Sequence, residues 1–322
     1  MSEQKPIGSR FNAASTAREV VEGIDLSGKT AIVTGGYSGL GVETTRALSE
    51  AGAMVIVPAR DRAKAERTLA GIDNVRLEPM DLTDPASIAA FSSGIIAEGR
   101  PISIVVNSAG IMATALAYTA EGHESQFATN HLGHFRLIAA LWPALVKASG
   151  ARVVSVSSRG HQICPVDFED IDFRKRPYDK WQAYGQAKTA NALFALGLDQ
   201  RGASHGVRAF SLHPGVILTD LARHLSEEEI NSFDVYDEDG NRRVDPSRDL
   251  KSPEQGAATS VWAATRPELQ NIGGVYCEDC EVSLPQGEAE GNKGVASWAM
   301  NPMAADRLWA ISQQLTGLSF PN

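Results

Sequence analysis

Tyr184 and Lys188 have the residue types and the spacing that acid–base chemistry needs. They stand at the two ends of Tyr184-Gly185-Gln186-Ala187-Lys188, which opens a strong helical pattern. An i, i+4 spacing puts both side chains on one helix face, one turn apart. A neighbouring ammonium favours the phenolate form, so Lys188 should lower the pKa of Tyr184 from about 10 toward the working range of an acid–base catalyst. This spacing is common in proteins, and the pair therefore needs support from other residues.

A glycine cluster follows the first apolar run of the chain. It reads Thr34-Gly35-Gly36-Tyr37-Ser38-Gly39-Leu40-Gly41 and leads directly into a predicted helix. Glycines at 35, 39 and 41 allow a tight turn, a close approach to a pyrophosphate and packing of helix on strand. The helix N-terminus adds free N–H groups and positive potential. The cluster predicts a dinucleotide-phosphate site, with a purely structural turn as the alternative.

The end of the second strand bears on the choice of cofactor. Met54 to Val57 runs into Pro58-Ala59-Arg60, where an acidic residue would hold the ribose 2′-hydroxyl of NAD. An arginine instead suits the 2′-phosphate of NADP. Asp61 or Arg62 could also turn toward the ribose, and Arg60 could be a solvated charge. We expect NADP(H) to be preferred, with NAD(H) as the alternative.

Polar residues also follow the third and fourth predicted strands. Asp81-Leu82 comes after the third strand, and Asn107-Ser108-Ala109-Gly110 comes after the fourth. Ligands of open α/β sheets bind at the carboxyl ends of the strands. We expect contacts with the adenine and ribose here.

Apolar strands alternate with amphipathic helices along most of the chain, which is the pattern of βαβ units. The strand candidates are Thr30 to Thr34, Met54 to Val57, Val75 to Pro79, Ile102 to Asn107, Arg152 to Ser157, Arg208 to His213 and Gly274 to Cys277. The helix candidates are Thr16 to Glu22, Gly39 to Ala51, Ala63 to Leu69, Pro85 to Ala97, Glu124 to Lys147, Tyr184 to Gln200 and Pro253 to Ala264. The pattern predicts an α/β Rossmann fold: a doubly wound parallel sheet of about seven strands with helices on both faces.

The predicted organisation is an N-terminal arm, residues 1–25, followed by one domain, residues 26–322. An insertion at about 216–252 interrupts the alternation; its stretch from Leu221 to Lys251 contains an acidic run and a turn at Asp239-Gly240-Asn241. A connection of this length suits a mobile substrate lid or, equally, a solvated surface insertion with one short helix.

Taken together, the glycine cluster, the Asn107 to Gly110 turn, Ser158 and the Tyr184/Lys188 pair resemble the short-chain dehydrogenase/reductase family. The resemblance covers about Leu26 to Ser283. It is greatest to retinol dehydrogenases and to the dehydrogenase portion of WW-domain-containing oxidoreductase. Three segments carry that narrower likeness: Ser15-Thr16-Ala17 to Gly28-Lys29, Asn130-His131-Leu132-Gly133-His134-Phe135 and Tyr276-Cys277-Glu278-Asp279-Cys280.

The resemblance implies a catalytic tetrad. In it Tyr184 is the acid–base, Lys188 lowers its pKa and holds the nicotinamide ribose, Ser158 orients the carbonyl, and Asn130 anchors a proton-relay water. Ser157 stays open as an alternative to Ser158. The implied cofactor-binding residues are Gly35, Tyr37, Ser38, Gly39, Leu40, Gly41, Arg60, Asp81, Leu82, Asn107, Ala109, Gly110, Tyr184, Lys188, Pro214, Gly215 and Thr219. The family pattern is broken at Ser108, where asparagine is usual, and at the bulky Tyr37.

The implied function is NADP(H)-dependent interconversion of an aldehyde or ketone and an alcohol. An apolar substrate is expected, because Phe168, Trp181, Leu218 and Leu221 could line a pocket, although they could equally be core residues. The alternatives are a cofactor-sensing protein without catalysis, and an epimerase or dehydratase relative. The resemblance also allows a homodimer or a homotetramer.

Composition narrows the class of partner. The net charge of -9 and a pI near 5.3 argue against nucleic-acid binding, which needs a basic surface. Ile102 to Val106 and Leu137 to Leu145 are too short or interrupted to span a bilayer, and the first six residues lack a secretion signal, so a cytoplasmic location is expected.

Three cysteines suit a reducing compartment rather than a disulfide scaffold. Cys277 and Cys280 have the spacing of half a zinc site or of a redox pair, but nothing completes a ligand set, so structural thiols are expected. His131 and His134 have few acidic residues nearby and are interpreted as packing residues. No metal is predicted.

Overall fold

The apolar runs form a single sheet in the computed structural model, which describes residues 2–320. Met1 and residues 321–322, at the ends of the predicted arm and domain, lie outside the described residues. The strands are β1 Thr30–Thr34, β2 Met54–Ala59, β3 Val75–Pro79, β4 Ile104–Asn107, β5 Ala151–Val156, β6 Val207–His213, β7 Val275–Glu278 and β8 Glu281–Val282. Their order is β3-β2-β1-β4-β5-β6-β7-β8. The first seven strands are parallel, which confirms the predicted α/β class, and the short β8 adds an antiparallel eighth strand that was not predicted.

Helices cover both faces of the sheet. They are α1 Ala17–Val21, α2 Leu40–Glu50, α3 Arg62–Thr68, α4 Pro85–Ala97, α5 Ser125–Phe127, α6 Gly133–Lys147, α7 Lys180–Gly202, α8 Glu227–Ser232, α9 Pro253–Thr265 and α10 Pro302–Thr316. Successive strand residues face opposite sides. Val33 and Val106 accordingly join the core beneath α2 and α9, whereas Ile32 and Val105 join the core beneath α4 and α6.

Three helices differ from the sequence prediction. The predicted helix from Glu124 to Lys147 is divided into α5, a π-helical turn over Ala128–Leu132 and α6. Helix α7 begins at Lys180, before Tyr184, because the side chain of Asp179 accepts hydrogen bonds from the N–H groups of Trp181 and Gln182. Helix α10 was not predicted, although Asn301 caps it and Pro302 opens it.

The N-terminal residues lie along the end of the sheet. The Gln4 side chain pairs with the backbone of Tyr276, and the N–H groups of Ile7, Gly8 and Ser9 donate to the carboxylate of Glu281. The edge strand β8 is only two residues long, carries the charged Glu281 and is covered by these N-terminal residues. It therefore offers little template for pairing with a strand of another chain.

Within residues 2–320, the helices all lack the combination of length and apolar character that crossing a membrane requires.

Candidate active site

The carboxyl ends of the central strands open into a cleft of about 1430 Å³. Sixteen of the predicted site residues line it: Gly35, Tyr37, Ser38, Gly39, Leu40, Arg60, Asp81, Leu82, Ala109, Gly110, Ser158, Tyr184, Lys188, Pro214, Gly215 and Thr219. Gly41, Asn107 and Asn130 lie behind this lining instead. The fold thus brings the glycine cluster and the tyrosine–lysine pair, about 150 residues apart in sequence, to one cleft.

The glycine turn is built for a close approach of backbone. Gly35 has φ +66° and Gly39 has φ +51°, and a Cβ on Gly35 would lie 2.9 Å from the Cα of Ala109. Helix α2 begins after Gly39 without a side-chain cap. The positive end of its dipole therefore lies at the cleft without a capping side chain, which favours a bound anion, although Glu43 adds a negative charge to the first turn.

Gly41 serves the packing of α2 on the turn rather than the lining of the cleft. A Cβ at this position would lie 2.1 Å from the carbonyl oxygen of Gly35, a contact that backbone atoms cannot relieve without moving. We expect Gly41→Ala to lower the free energy of unfolding by about 1–3 kcal/mol through overpacking, and to weaken dinucleotide binding because the turn shifts.

A matched control for this prediction is Gly94→Ala in α4, where an added Cβ meets nothing within 4 Å. The free energy of unfolding of that variant should rise by roughly 0.5–1 kcal/mol, because alanine has a higher helix propensity than glycine. Thermal unfolding and dinucleotide titration measure both effects. A Gly41→Ala protein as stable as the Gly94→Ala protein would contradict the packing role.

Two cations, Arg60 after β2 and Lys64 in α3, line one part of the cleft. The Arg60 side chain is 74% exposed, with Nη1 3.9 Å from Oδ2 of Asp81. Lys64, which sequence reasoning did not single out, lines the cleft and pairs with Asp220 at 2.7 Å. Asp61 also lines the cleft and caps α3 by accepting from the N–H of Lys64, whereas Arg62 pairs with Glu66.

Tyr184 and Lys188 lie on the buried face of α7, beside the end of β5. Ser158 is hydrogen-bonded to the phenol of Tyr184, and Nζ of Lys188 donates to the carbonyl of Val156 at 3.0 Å. Burial raises the pKa of Tyr184 to about 12, and the Ser158 hydrogen bond offsets only part of that rise. Burial also lowers the pKa of Lys188 to about 8.

These shifts correct one sequence prediction. Lys188 does not bring the phenol into the neutral range, because loss of solvent penalises the charged form of both groups and the ammonium bonds to Val156 instead. Near pH 7 the phenol of Tyr184 therefore keeps its proton, and the ammonium of Lys188 keeps its charge. The pair holds a proton that a reacting oxygen can take.

The two serines that the sequence left open have different surroundings. The hydroxyl of Ser157 donates to the carbonyl of Lys188 at 2.7 Å and so fixes α7 to the sheet. Ser158 caps the following turn by accepting from the N–H of Gly160 and contacts the phenol of Tyr184. The geometry therefore favours Ser158 as the serine next to a reacting group.

Asn130 is held by the π-helical turn, a feature that often marks functional positions. Its side-chain amide accepts from the N–H of Ile111 and donates to the carbonyl of Ile111. Its backbone carbonyl accepts from Nδ1 of His134 at 2.9 Å. Asn107 is also buried, and neither polar atom of its side chain has a hydrogen-bond partner within residues 2–320.

Apolar side chains gather in the cleft around Trp181, next to the charged Glu229. Ile163, Trp181, Leu218, Leu221, Ile230 and Phe233 line it, the last two from helix α8 and the residue after it. The indole of Trp181 lies 6.3 Å from the ring of Tyr184 and 6.2 Å from the ring of Phe233. Phe168, which the sequence offered as a lining residue, packs instead in the core with α10.

Cys277 and Cys280 are buried free thiols. Burial raises the pKa of the Cys280 thiol to about 12 and that of Cys277 well above its usual value, which is the reverse of a redox-active pair. The residue between them, Asp279, binds Lys251 and Lys293. In the part of the chain that the structure describes, no three His, Cys, Asp or Glu side chains are grouped as metal ligands would be.

The sequence pattern described as "short chain dehydrogenase" matches residues 29–230, and the chain therefore belongs to the short-chain dehydrogenase/reductase family. A "Probable oxidoreductase" of Streptomyces antibioticus is 47% identical over 294 residues, which cover 89% of this chain and 97% of the relative. Retinol dehydrogenase 12 of Homo sapiens is 35% identical over 96% of this chain and 92% of its own length. A crystal structure of an uncharacterised protein from Mycobacterium paratuberculosis is similar with a TM-score of 0.73 and 31% identity, covering 96% of this chain and all of the other. The chain is an NAD(P)-dependent oxidoreductase by family.

Proposed function

We propose that this protein is an NADP(H)-dependent oxidoreductase that interconverts an apolar aldehyde or ketone and its alcohol, with Tyr184 as the proton donor or acceptor. The observation that carries the proposal is the placement of Tyr184, Ser158 and Lys188 in the same cleft as the glycine turn. A phenol that keeps its proton at neutral pH is suited to carbonyl reduction, where the developing alkoxide must be protonated.

The residues present fit a nicotinamide dinucleotide. The N-terminus of α2 has no side-chain cap and suits a pyrophosphate, and Gly35 lets the turn before it pack closely on Ala109. The unpartnered side chain of Asn107 has free hydrogen-bonding capacity near this end of the sheet. We therefore assign the lining residues from Gly35 to Thr219 named above to cofactor binding, with Gly41 and Asn107 supporting them from behind.

The chemistry divides between the cofactor and the side chains. When bound, the nicotinamide supplies or accepts the hydride. The hydroxyl of Ser158 donates a hydrogen bond to the carbonyl oxygen of the substrate, and Tyr184 transfers its proton to that oxygen as charge develops. The ammonium of Lys188 favours the phenolate that remains. For Asn130, one layer deeper, we keep the role of anchoring a proton-relay water, which rests on the family resemblance alone.

Arg60 and Lys64 support the preference for NADP(H), since two cations near the ribose suit a 2′-phosphate. We expect Arg60→Ala to raise the KM for NADPH by about tenfold, the loss of one exposed charge-assisted contact, and to change the KM for NADH by less than about twofold. Steady-state kinetics with both cofactors measure this. Arg62→Ala, which removes the same charge from the Glu66 pair, is the control, and equal effects of Arg60→Ala on both cofactors would contradict the assignment.

The apolar walls support an apolar substrate, and the relative named for retinol supports the same class. The insertion at 216–252 contributes Leu218, Ile230 and Phe233 to those walls, so we assign it the role of a substrate lid. Free thiols at all three cysteines suit a cytoplasmic location, which we also propose. We also propose a homodimer or a homotetramer, on the basis of the family resemblance alone.

The experiment that tests this proposal measures NADPH and NADH oxidation against a panel of aldehydes, ketones and quinones of graded hydrophobicity. Turnover should rise with the apolar character of the carbonyl compound and should prefer NADPH. Tight dinucleotide binding without turnover of any compound would instead identify a cofactor-sensing protein.

A further inference from the structure

The end of the insertion returns to the reaction centre at Asp249. The N–H of Val216 donates to the carbonyl of Asp249 at 2.8 Å, and the N–H of Lys251 donates to the carbonyl of Val216 at 3.1 Å. Asp249 is 5% exposed and has a left-handed backbone, with φ +67°. Its side chain therefore lies beneath the cleft in a fixed direction.

The Asp249 carboxylate holds His213, the residue before the Pro214-Gly215 turn. The N–H of Arg159 donates to Nδ1 of His213 at 3.0 Å, so this nitrogen is an acceptor and the ring proton is on Nε2. Nε2 is 2.8 Å from Oδ2 of Asp249, to which it donates. The carboxylate thus selects the one tautomer that can accept from the backbone of Arg159.

The same carboxylate oxygen binds the Arg159 side chain, with Nη2 at 3.0 Å. Arg159 follows Ser158 directly, so Asp249 reaches this residue twice: through its guanidinium and, by way of His213, through its N–H group. Burial alone would raise the pKa of Asp249, but His213, Arg159 and Lys251 lower it to about 2. The carboxylate is charged throughout the neutral range.

We propose that Asp249 is a positioning residue for the reaction, holding His213 and Arg159 so that Ser158 and the Pro214-Gly215 turn keep their places on either side of the cleft. The expected effect on kcat rests on the proposed function, whereas the contacts made by Asp249 do not depend on it. It also assigns a role to the insertion, whose last residues join the lid to the serine beside Tyr184.

The test replaces Asp249 with asparagine, which tolerates the left-handed backbone and keeps the shape of the side chain but removes its charge. We expect kcat for carbonyl reduction to fall by about tenfold or more, since small misplacements near a reacting group are costly. The KM for the carbonyl compound should change by less than about threefold. The amide proton of Arg159 should exchange faster with solvent, because its acceptor is no longer held.

Asp234→Asn is the matched control. Asp234 belongs to the same insertion, has φ +53° and pairs with Arg248 and Arg243 rather than with His213 and Arg159. Arg159→Gln removes the ion pair between Arg159 and Asp249 by changing the other partner. If this ion pair is responsible for the effect, kcat of the Asp249→Asn/Arg159→Gln double variant should be no lower than that of either single variant.

Wild-type values of kcat and of Arg159 exchange in a folded Asp249→Asn protein would overturn the inference. If the wild-type protein reduces no carbonyl compound, the proposed function fails, and the exchange of the Arg159 amide still decides whether Asp249 positions this segment.

Discussion

Tyr184→Phe should lower kcat for carbonyl reduction by about 10²- to 10⁴-fold, the usual contribution of a positioned proton donor. The Tyr184 side chain is buried beside Ser158 at the wall of the cleft, so removing one oxygen atom leaves the shape of the cleft intact. The Kd for NADPH should stay within about threefold of wild type. Stopped-flow kinetics and dinucleotide titration separate the two quantities.

Tyr236→Phe is the control for this substitution, because it removes the same atom from a partly exposed side chain of the insertion that does not line the cleft. It should leave kcat unchanged within about twofold. A Tyr184→Phe enzyme that keeps more than a tenth of wild-type kcat would require another proton donor.

The second large effect is expected from Lys188→Met, because we assign Lys188 two roles: it favours the phenolate of Tyr184, and it holds the nicotinamide ribose. Loss of the ammonium should lower kcat/KM by about 10²- to 10³-fold, the range found when one electrostatic donor is removed. Unlike Tyr184→Phe, it should also weaken NADPH binding, since we propose that Lys188, which lines the cleft, holds the nicotinamide ribose. Lys29→Met, which removes an exposed ammonium next to the opposite end of β1, is the control.

The pH profile gives this prediction a second readout. Because burial lowers the pKa of Lys188 to about 8, the ammonium is present below that pH and is lost as the pH rises through it. Tyr184, with a pKa of about 12, stays protonated over the same range. For reduction, kcat/KM of the wild-type protein should fall above about pH 8, and this decline should be absent from Lys188→Met. An unchanged decline in the variant would assign it to another group.

The motifs that determine the fold were visible in the sequence because each is local. The continuous apolar runs predicted parallel strands, and the placement of Gly35, Gly39 and Gly41 predicted a tight turn between a strand and a helix. The i, i+4 spacing placed Tyr184 and Lys188 on one helix face. Helix α10 could also have been predicted from Asn301-Pro302 and the apolar spacing that follows, but it lies beyond the repeating βα pattern.

Other features depend on burial or on contacts between distant residues. The direction of the pKa shift at Tyr184 was predicted wrongly, because sequence spacing shows the nearby ammonium but not the loss of solvent around the phenol. The same limit applies to Lys64, whose partner Asp220 is 156 residues away, and to Asp249, which reaches His213 through the insertion. The sequence around Asn130 has a continuous helical pattern, whereas the structure has a π-helical turn there. The periodicity of the sequence alone therefore could not reveal this turn.

The central claim is hydride transfer between a nicotinamide and a carbonyl carbon in this cleft. The most direct test is incubation of the protein with an apolar aldehyde and NADPH deuterated at C4 of the nicotinamide, followed by mass spectrometry of the alcohol. Our account predicts one deuterium on the carbinol carbon from one face of the nicotinamide, and loss of this product in Tyr184→Phe. Tight NADPH binding without labelled alcohol from any carbonyl compound in the panel would contradict the claim.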